Sequence, residues 1–139
     1  MPPLQIVIDT NVLICALRSR RGPSFRLLST LGDPRWQTNV STALLLEYEE
    51  KLLSQRSALG LTSAEIAAVL DTMVRRSRHR IIYFHWRPRS RDPDDDFLVD
   101  LAGGACDWCV TFNLRDWPTD IPCKAVTPGD FLAMLPPMP

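Results

Sequence analysis

The 139-residue sequence lacks long apolar runs and carries no net charge, with 16 basic and 16 acidic residues. No apolar run approaches the roughly 18 residues that a membrane-spanning helix needs. The N-terminus has no basic segment followed by an apolar one, so it does not resemble a signal peptide. We therefore expect a cytoplasmic protein with no membrane contact. Zero net charge also excludes binding to nucleic acid through bulk positive charge alone.

Histidine and cysteine are scarce, which excludes several kinds of site. The two histidines and the single C-x-x-C pair, Cys106 and Cys109, do not supply the ligand pairs of a zinc site. We expect the cysteines to be reduced and structural, because free cysteine behaves as a small buried hydrophobe. No glycine-rich phosphate loop of the G-x-G-x-x-G or G-x-x-x-x-G-K-[ST] type is present, so nucleotide-cofactor chemistry has no support.

The chain alternates between short apolar strands and helical segments along its whole length. Strands are predicted at Leu4–Ile8, Trp36–Val40, Ile81–Phe84, Trp108–Thr111 and Lys124–Val126. Helices are predicted at Asn11–Leu17, Ser24–Leu31, Thr42–Gln55 with Thr42 as its N-cap, from the capping box Thr62-x-x-Glu65 onward, Asp92–Ala102 with Gly103–Gly104 as its end, and Pro128–Leu135. Such alternation predicts an α/β fold: a three-layer α/β/α sandwich around a central parallel sheet of about five strands. We expect one domain over residues 1–135 and a proline-rich tail at 136–139.

Acidic residues follow predicted strands or stand on helices that face the core. Asp9 comes directly after the first strand, Asp116 follows the fourth, and Glu47 lies among leucines and a tyrosine. Each has a plain alternative: Asp9 as a helix N-cap, Glu47 as a solvated helix acid, Asp116 as a turn residue. In a parallel sheet, however, sites form at the carboxyl ends of the strands, so these acids are predicted to meet at one edge.

The aspartate run at residues 92–96 is the strongest single signal. With 100° per residue, Asp94 and Asp95 fall on the core side of the predicted helix, whereas Asp96 and Asp100 fall on the solvated side. Like charges on a buried face repel unless a cation holds them. An EF-hand loop is excluded, because Phe97 and Gly103 stand where that loop needs glycine and glutamate. A carboxylate cluster without histidine or cysteine predicts Mg²⁺ or Mn²⁺.

Four segments together resemble the PIN-domain nucleases, specifically bacterial toxin-like proteins of the VapC type. These segments are Ile6–Leu13, Leu45–Glu47, Arg91–Leu98 and Val110–Trp117, in the order and at the spacing of the family. The resemblance implies catalytic acids at Asp9, Glu47, Asp95 and Asp116, with metal ligands at Asp9, Asp95 and Asp116. It places Asn11, Asp94, Thr111 and Asn113 in supporting positions, and Asp94 or Asp96 replaces Asp95 if the register shifts by one.

The resemblance implies an Mg²⁺- or Mn²⁺-dependent ribonuclease, the toxin of a toxin–antitoxin pair, with a small cognate antitoxin and a homodimer as partners. Fourteen of the sixteen basic residues are arginine. They cluster, and the cluster at Arg18, Arg20 and Arg21 is predicted to contact RNA phosphates. The alternatives are a non-catalytic PIN-like module that binds RNA or protein, and a phosphatase or flap nuclease with a similar acid cluster.

Overall fold

A five-stranded parallel sheet forms the centre of the protein. The computed structural model describes residues 2–81 and 96–138. The strands are β1 (Leu4–Ile8), β2 (Trp36–Val40), β3 (Arg78–His79), β4 (Trp108–Val110) and β5 (Lys124–Val126). Their order is β3-β2-β1-β4-β5, and all neighbouring pairs are parallel. The predicted sheet is confirmed, and β1 is its middle strand.

Helices connect the strands and cover the sheet. Their bounds are α1 (Thr10–Arg18), α2 (Pro23–Ser29), α3 (Thr42–Ser54), α4 (Arg56–Leu59), α5 (Ser63–Arg76), α6 (Asp96–Ala105) and α7 (Pro128–Met134), with a 3-10 turn at Leu114–Asp116. The short helix α4 and the 3-10 turn were not predicted. Among the described residues, no helix has both the length and the apolarity needed to cross a membrane.

Alternation along β1 divides the apolar core between the two faces of the sheet. Ile6 and Ile8 pack with Leu27 of α2 and Phe131 of α7. Val7 points to the other face, where residues of α3, α5 and α6 form the larger core. Because successive strand residues face opposite sides, helices are required on both faces. The predicted three-layer sandwich is therefore confirmed.

The helix starts mostly follow the predicted capping signals. Thr62 and Glu65 form the predicted capping box. The Glu65 N–H donates to Thr62 Oγ1 at 3.1 Å, and the Thr62 N–H donates to Glu65 Oε1 at 3.0 Å. For α3, the prediction is wrong by one residue. Ser41 is the N-cap, and its hydroxyl accepts from the Leu44 N–H at 3.2 Å, whereas Thr42 is the first helical residue.

The third strand lies earlier in the chain than predicted. Arg78 and His79 pair with Asn39 and Val40, and residue 81 is outside the strand. The Arg80 N–H donates to the Val40 carbonyl at 2.8 Å, which is the last bond that β2 offers on this side. Beyond Val40 the chain turns into α3, so β2 offers no strand partner to residue 81. Residues 82–84 of the predicted strand lie outside the described residues.

Two predictions for α6 are wrong. The helix continues through Gly103 and Gly104 to Ala105, and neither glycine has a positive φ. Asp100 is buried, at 9% exposure, although the helical wheel placed it on a solvated face. The neighbours of Asp100 from residue 98 to residue 102 are buried as well. This part of α6 is therefore enclosed on every side, and the assumption of one solvated face fails. The predicted start at Asp92 lies outside the described residues.

Candidate active site

Asp9 lies at the carboxyl end of β1, where the chain enters α1. Its N–H donates to the Val110 carbonyl of β4 at 2.9 Å, and its own carbonyl accepts from the Val12 N–H at 3.0 Å. Asp9 occupies the N-cap position of α1, yet its side chain makes no capping hydrogen bond. Instead Asp9 Oδ2 accepts from Thr111 Oγ1 at 2.7 Å. The carboxylate is therefore directed towards the end of β4, and the alternative of a capping side chain is wrong.

Thr111 connects Asp9 to the loop after β4. Its side chain is 1% exposed, and its hydroxyl donates to Asp9 while accepting from the Asn113 N–H at 3.0 Å. A buried carboxylate is costly unless hydrogen bonds compensate its lost hydration. Thr111 supplies one such bond, and its own orientation is fixed by Asn113. Asn113 thus takes part through its backbone, and its side chain is exposed.

Glu47 reaches the same edge of the sheet from α3. Its Oε2 accepts from Thr10 Oγ1 at 2.5 Å, and Thr10 is the residue directly after Asp9. Glu47 is half-buried, unlike the exposed Glu49 and Glu50 of the same helix. The Thr10 hydroxyl therefore binds Glu47, and the Thr111 hydroxyl binds Asp9, the residue next to Thr10. The alternative of Glu47 as an ordinary solvated helix acid is wrong.

Tyr48 fixes α3 against the last residue of β1. Its hydroxyl donates to the Ile8 carbonyl, and its ring is fully buried. Burial, followed by the nearby Asp9 charge, raises the pKa of Tyr48 well above its ordinary value. The phenol therefore stays protonated and remains a donor. The sequence pattern identified Tyr48 only as a core residue; the signal that could have shown more is that a buried tyrosine hydroxyl needs an acceptor.

The remaining predicted acids are Asp116, Asp94 and Asp95. Asp116 is half-buried at the end of the 3-10 turn, five residues after Thr111. Asp94 and Asp95 lie outside the described residues. Within residues 2–81 and 96–138, no three histidine, cysteine, aspartate or glutamate side chains are grouped closely enough to hold a metal ion. Asp9, Glu47 and Asp116 are therefore not grouped as the ligands of one metal ion.

The oxygen donors at this edge fit a hard divalent cation. Asn11 Oδ1 is buried and has no hydrogen-bond partner among the described residues. It lies two residues after Asp9, in the first turn of α1. Amide and carboxylate oxygens are the ligands that Mg²⁺ and Mn²⁺ take, directly or through water. Asp9, Asn11 and Glu47 would thus contribute oxygen ligands of the right class.

The predicted RNA-contacting arginines lie away from the acids. Arg18 ends α1, and its Nη2 donates to Gln55 Oε1 at 3.2 Å; Arg20 and Arg21 are exposed just beyond. With a rise of 1.5 Å per residue, eight steps along α1 separate Thr10 from Arg18 by about 12 Å. The structure therefore does not bring this cluster to the acids.

The four cysteines are free thiols, as predicted. Cys109 and Cys123 are buried in the core. Burial raises the pKa of Cys106 to about 12, and burial raises the pKa of Cys123 further. Since the thiolate is the reactive form, Cys106 and Cys123 are unreactive near neutral pH.

The chain was compared with curated protein sequences and with models of protein families. No curated protein sequence matches the chain. A family model described as "PIN domain" matches residues 5–115, from β1 to the residue before Asp116. This range covers most of the 139 residues and includes Asp9, Glu47 and Thr111. The chain therefore belongs to the PIN domain family, whose members are in general nucleases.

Proposed function

We propose that this protein is an endoribonuclease that uses Mg²⁺ or Mn²⁺ to hydrolyse RNA phosphodiester bonds. The observation that supports this proposal most is a pair of acids at the carboxyl end of the central strand, each of which accepts a hydrogen bond from a threonine hydroxyl. Thr111 binds Asp9 at 2.7 Å, and Thr10 binds Glu47 at 2.5 Å. Hydrogen bonds of this kind fix the orientation of carboxylates that bind a metal. The family membership supports a nuclease, and the oxygen donors support the class of metal.

Each acid has a defined role in this proposal. Asp9, Asp95 and Asp116 bind the metal directly or through water, with Asn11 and Asp94 in support. When bound, the metal lowers the pKa of a coordinated water and offsets charge on the phosphate oxygens. Glu47 orients the attacking water or binds a second ion, and Thr10 keeps its carboxylate at the edge of the sheet. Thr111 keeps Asp9 in a single orientation, so little reorganisation is needed during the reaction.

The loop after β4 offers a surface for RNA bases. Phe112 and Leu114 are each 45% exposed, and they flank Asn113 directly after the Thr111 that binds Asp9. An exposed aromatic ring stacks on nucleobases without strong sequence preference. We expect a base next to the scissile phosphate to contact Phe112. Arg18, Arg20 and Arg21 then bind phosphates farther along the strand.

We further propose that the protein is a cytoplasmic, VapC-type toxin of a toxin–antitoxin pair, with a small cognate antitoxin and a homodimeric assembly. The support is the order and spacing of the four resembling segments. A short DNA-binding protein encoded in the adjacent reading frame would supply the antitoxin. Sedimentation of the purified chain, alone and with that partner, tests both the dimer and the complex.

Cleavage of a structured RNA tests the enzymatic proposal. The full chain should cleave with Mn²⁺ and not with EDTA, and Asp9→Asn and Glu47→Gln should each lower the single-turnover rate at least about 100-fold, since they remove fixed charge at the reacting phosphate. Glu50→Gln is the matched control, because Glu50 is exposed on the same helix. Mn²⁺ should also raise the melting temperature of the parent and not of Asp9→Asn.

The outcome of this experiment separates the alternatives. RNA binding without cleavage at any Mn²⁺ concentration would support the non-catalytic module and contradict the enzymatic proposal. Cleavage by Asp9→Asn at the parent rate would show that the activity does not come from this site. Release of inorganic phosphate from a monoester, with no cut in RNA, would support a phosphatase instead.

A further inference from the structure

A cavity of about 160 Å³ lies at the amino end of the sheet, at the opposite end from the acids. It is bordered by the residues that precede β1, β2 and β3 and by the first part of β2. Its lining residues are Pro3, Gly32, Asp33, Pro34, Trp36, Gln37, Thr38 and Arg76. Since a water molecule occupies about 30 Å³ of liquid, the cavity has room for a group of several heavy atoms.

Two polar side chains that line this cavity are buried and lack partners. Trp36 is 3% exposed and Thr38 is 1% exposed. Trp36 Nε1 and Thr38 Oγ1 have no hydrogen-bond partner anywhere in the described ranges. The indole nitrogen is only a donor, and the hydroxyl can donate. Leaving a buried donor without a partner is costly, so both groups favour an acceptor placed in the cavity.

Arg76 adds a positive charge to the same cavity. A Cβ built on Gly32 would lie 3.2 Å from Arg76 Nη1, so the guanidinium rests directly against this glycine, whose φ is +98°. Arg76 forms no ion pair with any residue of the described part of the chain. The nearby Asp33 is bound by Arg35 instead, through a contact of 2.7 Å and further hydrogen bonds. Arg76 is exposed, so its charge is accessible to a ligand from solvent.

We propose that this cavity binds an oxyanion of the phosphate type. Three of its lining residues carry a donor group: the guanidinium of Arg76, the indole N–H of Trp36 and the hydroxyl of Thr38. Guanidinium groups bind phosphate oxygens with two parallel hydrogen bonds. The oxyanion is either a free phosphate or the terminal phosphate of a nucleic acid. The site uses none of the acids, so the inference is independent of the proposed function.

The indole N–H of Trp36 provides a direct readout. In ¹H–¹⁵N spectra of the full chain with EDTA, inorganic phosphate should shift the Trp36 indole resonance in a saturable manner. Sodium chloride at the same ionic strength should not. The Trp117 indole is the internal control, because it already donates to the Cys123 carbonyl at 2.8 Å. Trp36→Phe assigns the resonance.

Two arginine variants test the charge. Arg76→Gln should weaken phosphate binding at least about tenfold, since a charge-assisted bond is roughly twice as strong as a neutral one. Arg75→Gln should bind like the parent, because Arg75 is paired on the surface with Asp71 at 3.0 Å. A Trp36 shift that is absent, or that equals the chloride control, would overturn the proposal. Equal binding by the Arg76→Gln variant and the parent would also overturn it.

A second titration identifies the source of the phosphate. A 5′-phosphorylated oligodeoxynucleotide and its unphosphorylated form are compared in the same spectra. If only the phosphorylated form shifts Trp36, and at lower concentration than inorganic phosphate, the ligand is the end of a nucleic acid. If inorganic phosphate binds and the oligonucleotide does not, the ligand is a free anion. If neither binds, the proposal is wrong.

Discussion

Thr38 lies in β2 and Thr111 directly follows β4; both are 1% exposed, but they lie in different surroundings. Thr111, at the carboxyl end, donates to Asp9 and accepts from the Asn113 N–H. The Thr38 hydroxyl, near the amino end, has no partner among the described residues. At the carboxyl end, carboxylates are thus matched by hydroxyl donors. At the amino end, Trp36 Nε1 and Thr38 Oγ1 lack partners among the described residues, Arg76 adds positive charge, and the Asp33 carboxylate is paired with Arg35.

This difference indicates that opposite ends of one sheet are suited to ligands of opposite charge. Buried carboxylates need donors or a cation, and Asp9 and Glu47 are the acids with threonine donors. Buried donors need acceptors, and Trp36 and Thr38 lack them among the described residues. The variants below test the comparison, beginning with the largest expected effect.

The largest effect is expected from Asp95, which the family resemblance assigns to the metal site. Asp95→Asn should abolish metal-dependent RNA cleavage, a loss of about 3 kcal/mol or more of transition-state stabilisation, because fixed charge dominates at such sites. Asp94→Asn should have an intermediate effect. Single-turnover cleavage at saturating Mn²⁺ measures both, with folding checked by circular dichroism.

Asp96→Asn is the comparison variant for this series. The helical wheel separated Asp96 from Asp95 by assuming a solvated face, and the burial of Asp100 contradicts that assumption. The preference for Asp95 therefore rests on the family register alone. If Asp96→Asn is inactive and Asp95→Asn cleaves normally, the register is shifted by one residue. If all three variants cleave like the parent, the aspartate run is not part of the site.

The sheet and most helices were predictable because their signals are local. Apolar strands at Leu4–Ile8 and Trp36–Val40, and the capping box at Thr62 and Glu65, need only neighbouring residues to be recognised. The position of Asp9 followed from the rule that sites form at carboxyl ends of parallel strands. Fold class and the edge that carries the acids could thus be derived without long-range information.

The hydrogen bonds that position the acids could not be predicted. The pairs Thr10–Glu47 and Tyr48–Ile8 join residues 37 and 40 positions apart, and they depend on how α3 packs on the sheet. The burial of Asp100 depends on the elements that enclose α6. Docking of helices on a sheet is set by side-chain packing and leaves no short sequence motif.

The next largest effect is expected from Thr111, with Thr38 as the comparison. Thr111→Val should lower the free energy of unfolding by about 1–3 kcal/mol, because it removes a donor from buried Asp9 and an acceptor from Asn113. Thr38→Val should leave stability within about 0.5 kcal/mol of the parent or raise it, since no protein partner is lost. Urea unfolding measures both variants. Equal losses in the two variants would contradict the difference between the ends of the sheet.

Tyr48 should give a smaller, pH-dependent effect. Tyr48→Phe removes the bond to the Ile8 carbonyl and should cost about 1 kcal/mol at pH 7. The folded state raises the pKa of Tyr48 above its unfolded value of about 10. Burial of the neutral phenol therefore contributes its full stabilisation to the folded state below about pH 10, and this contribution is lost as the pH rises further.

The stability difference between parent and Tyr48→Phe should accordingly shrink above about pH 10. Urea unfolding at a series of alkaline pH values measures it. Phenolate absorbance gives a second test, because Tyr48 should ionise only together with unfolding. A normal titration of this phenol in the folded protein would contradict its role in fixing α3 to β1.

The smallest effect is expected from the arginines at the far end of α1. Arg18, Arg20 and Arg21 are exposed and about 12 Å from the start of the helix, so they contribute to RNA affinity without touching the acids. Replacing all three with glutamine should lower the slope of log affinity against log salt by about 2, or about 0.7 per phosphate contact on a single strand. Binding is measured on the Asp9→Asn background with EDTA, which prevents cleavage.

Arg26→Gln is the matched control, being exposed on α2 outside the cluster. The melting-temperature shift with Mn²⁺, measured without the Asp9 change, should stay at the parent value, because Asp9, the proposed metal ligand, lies at the other end of α1. An unchanged salt slope would mean that these arginines are solvated surface and that RNA approaches the acids by another path.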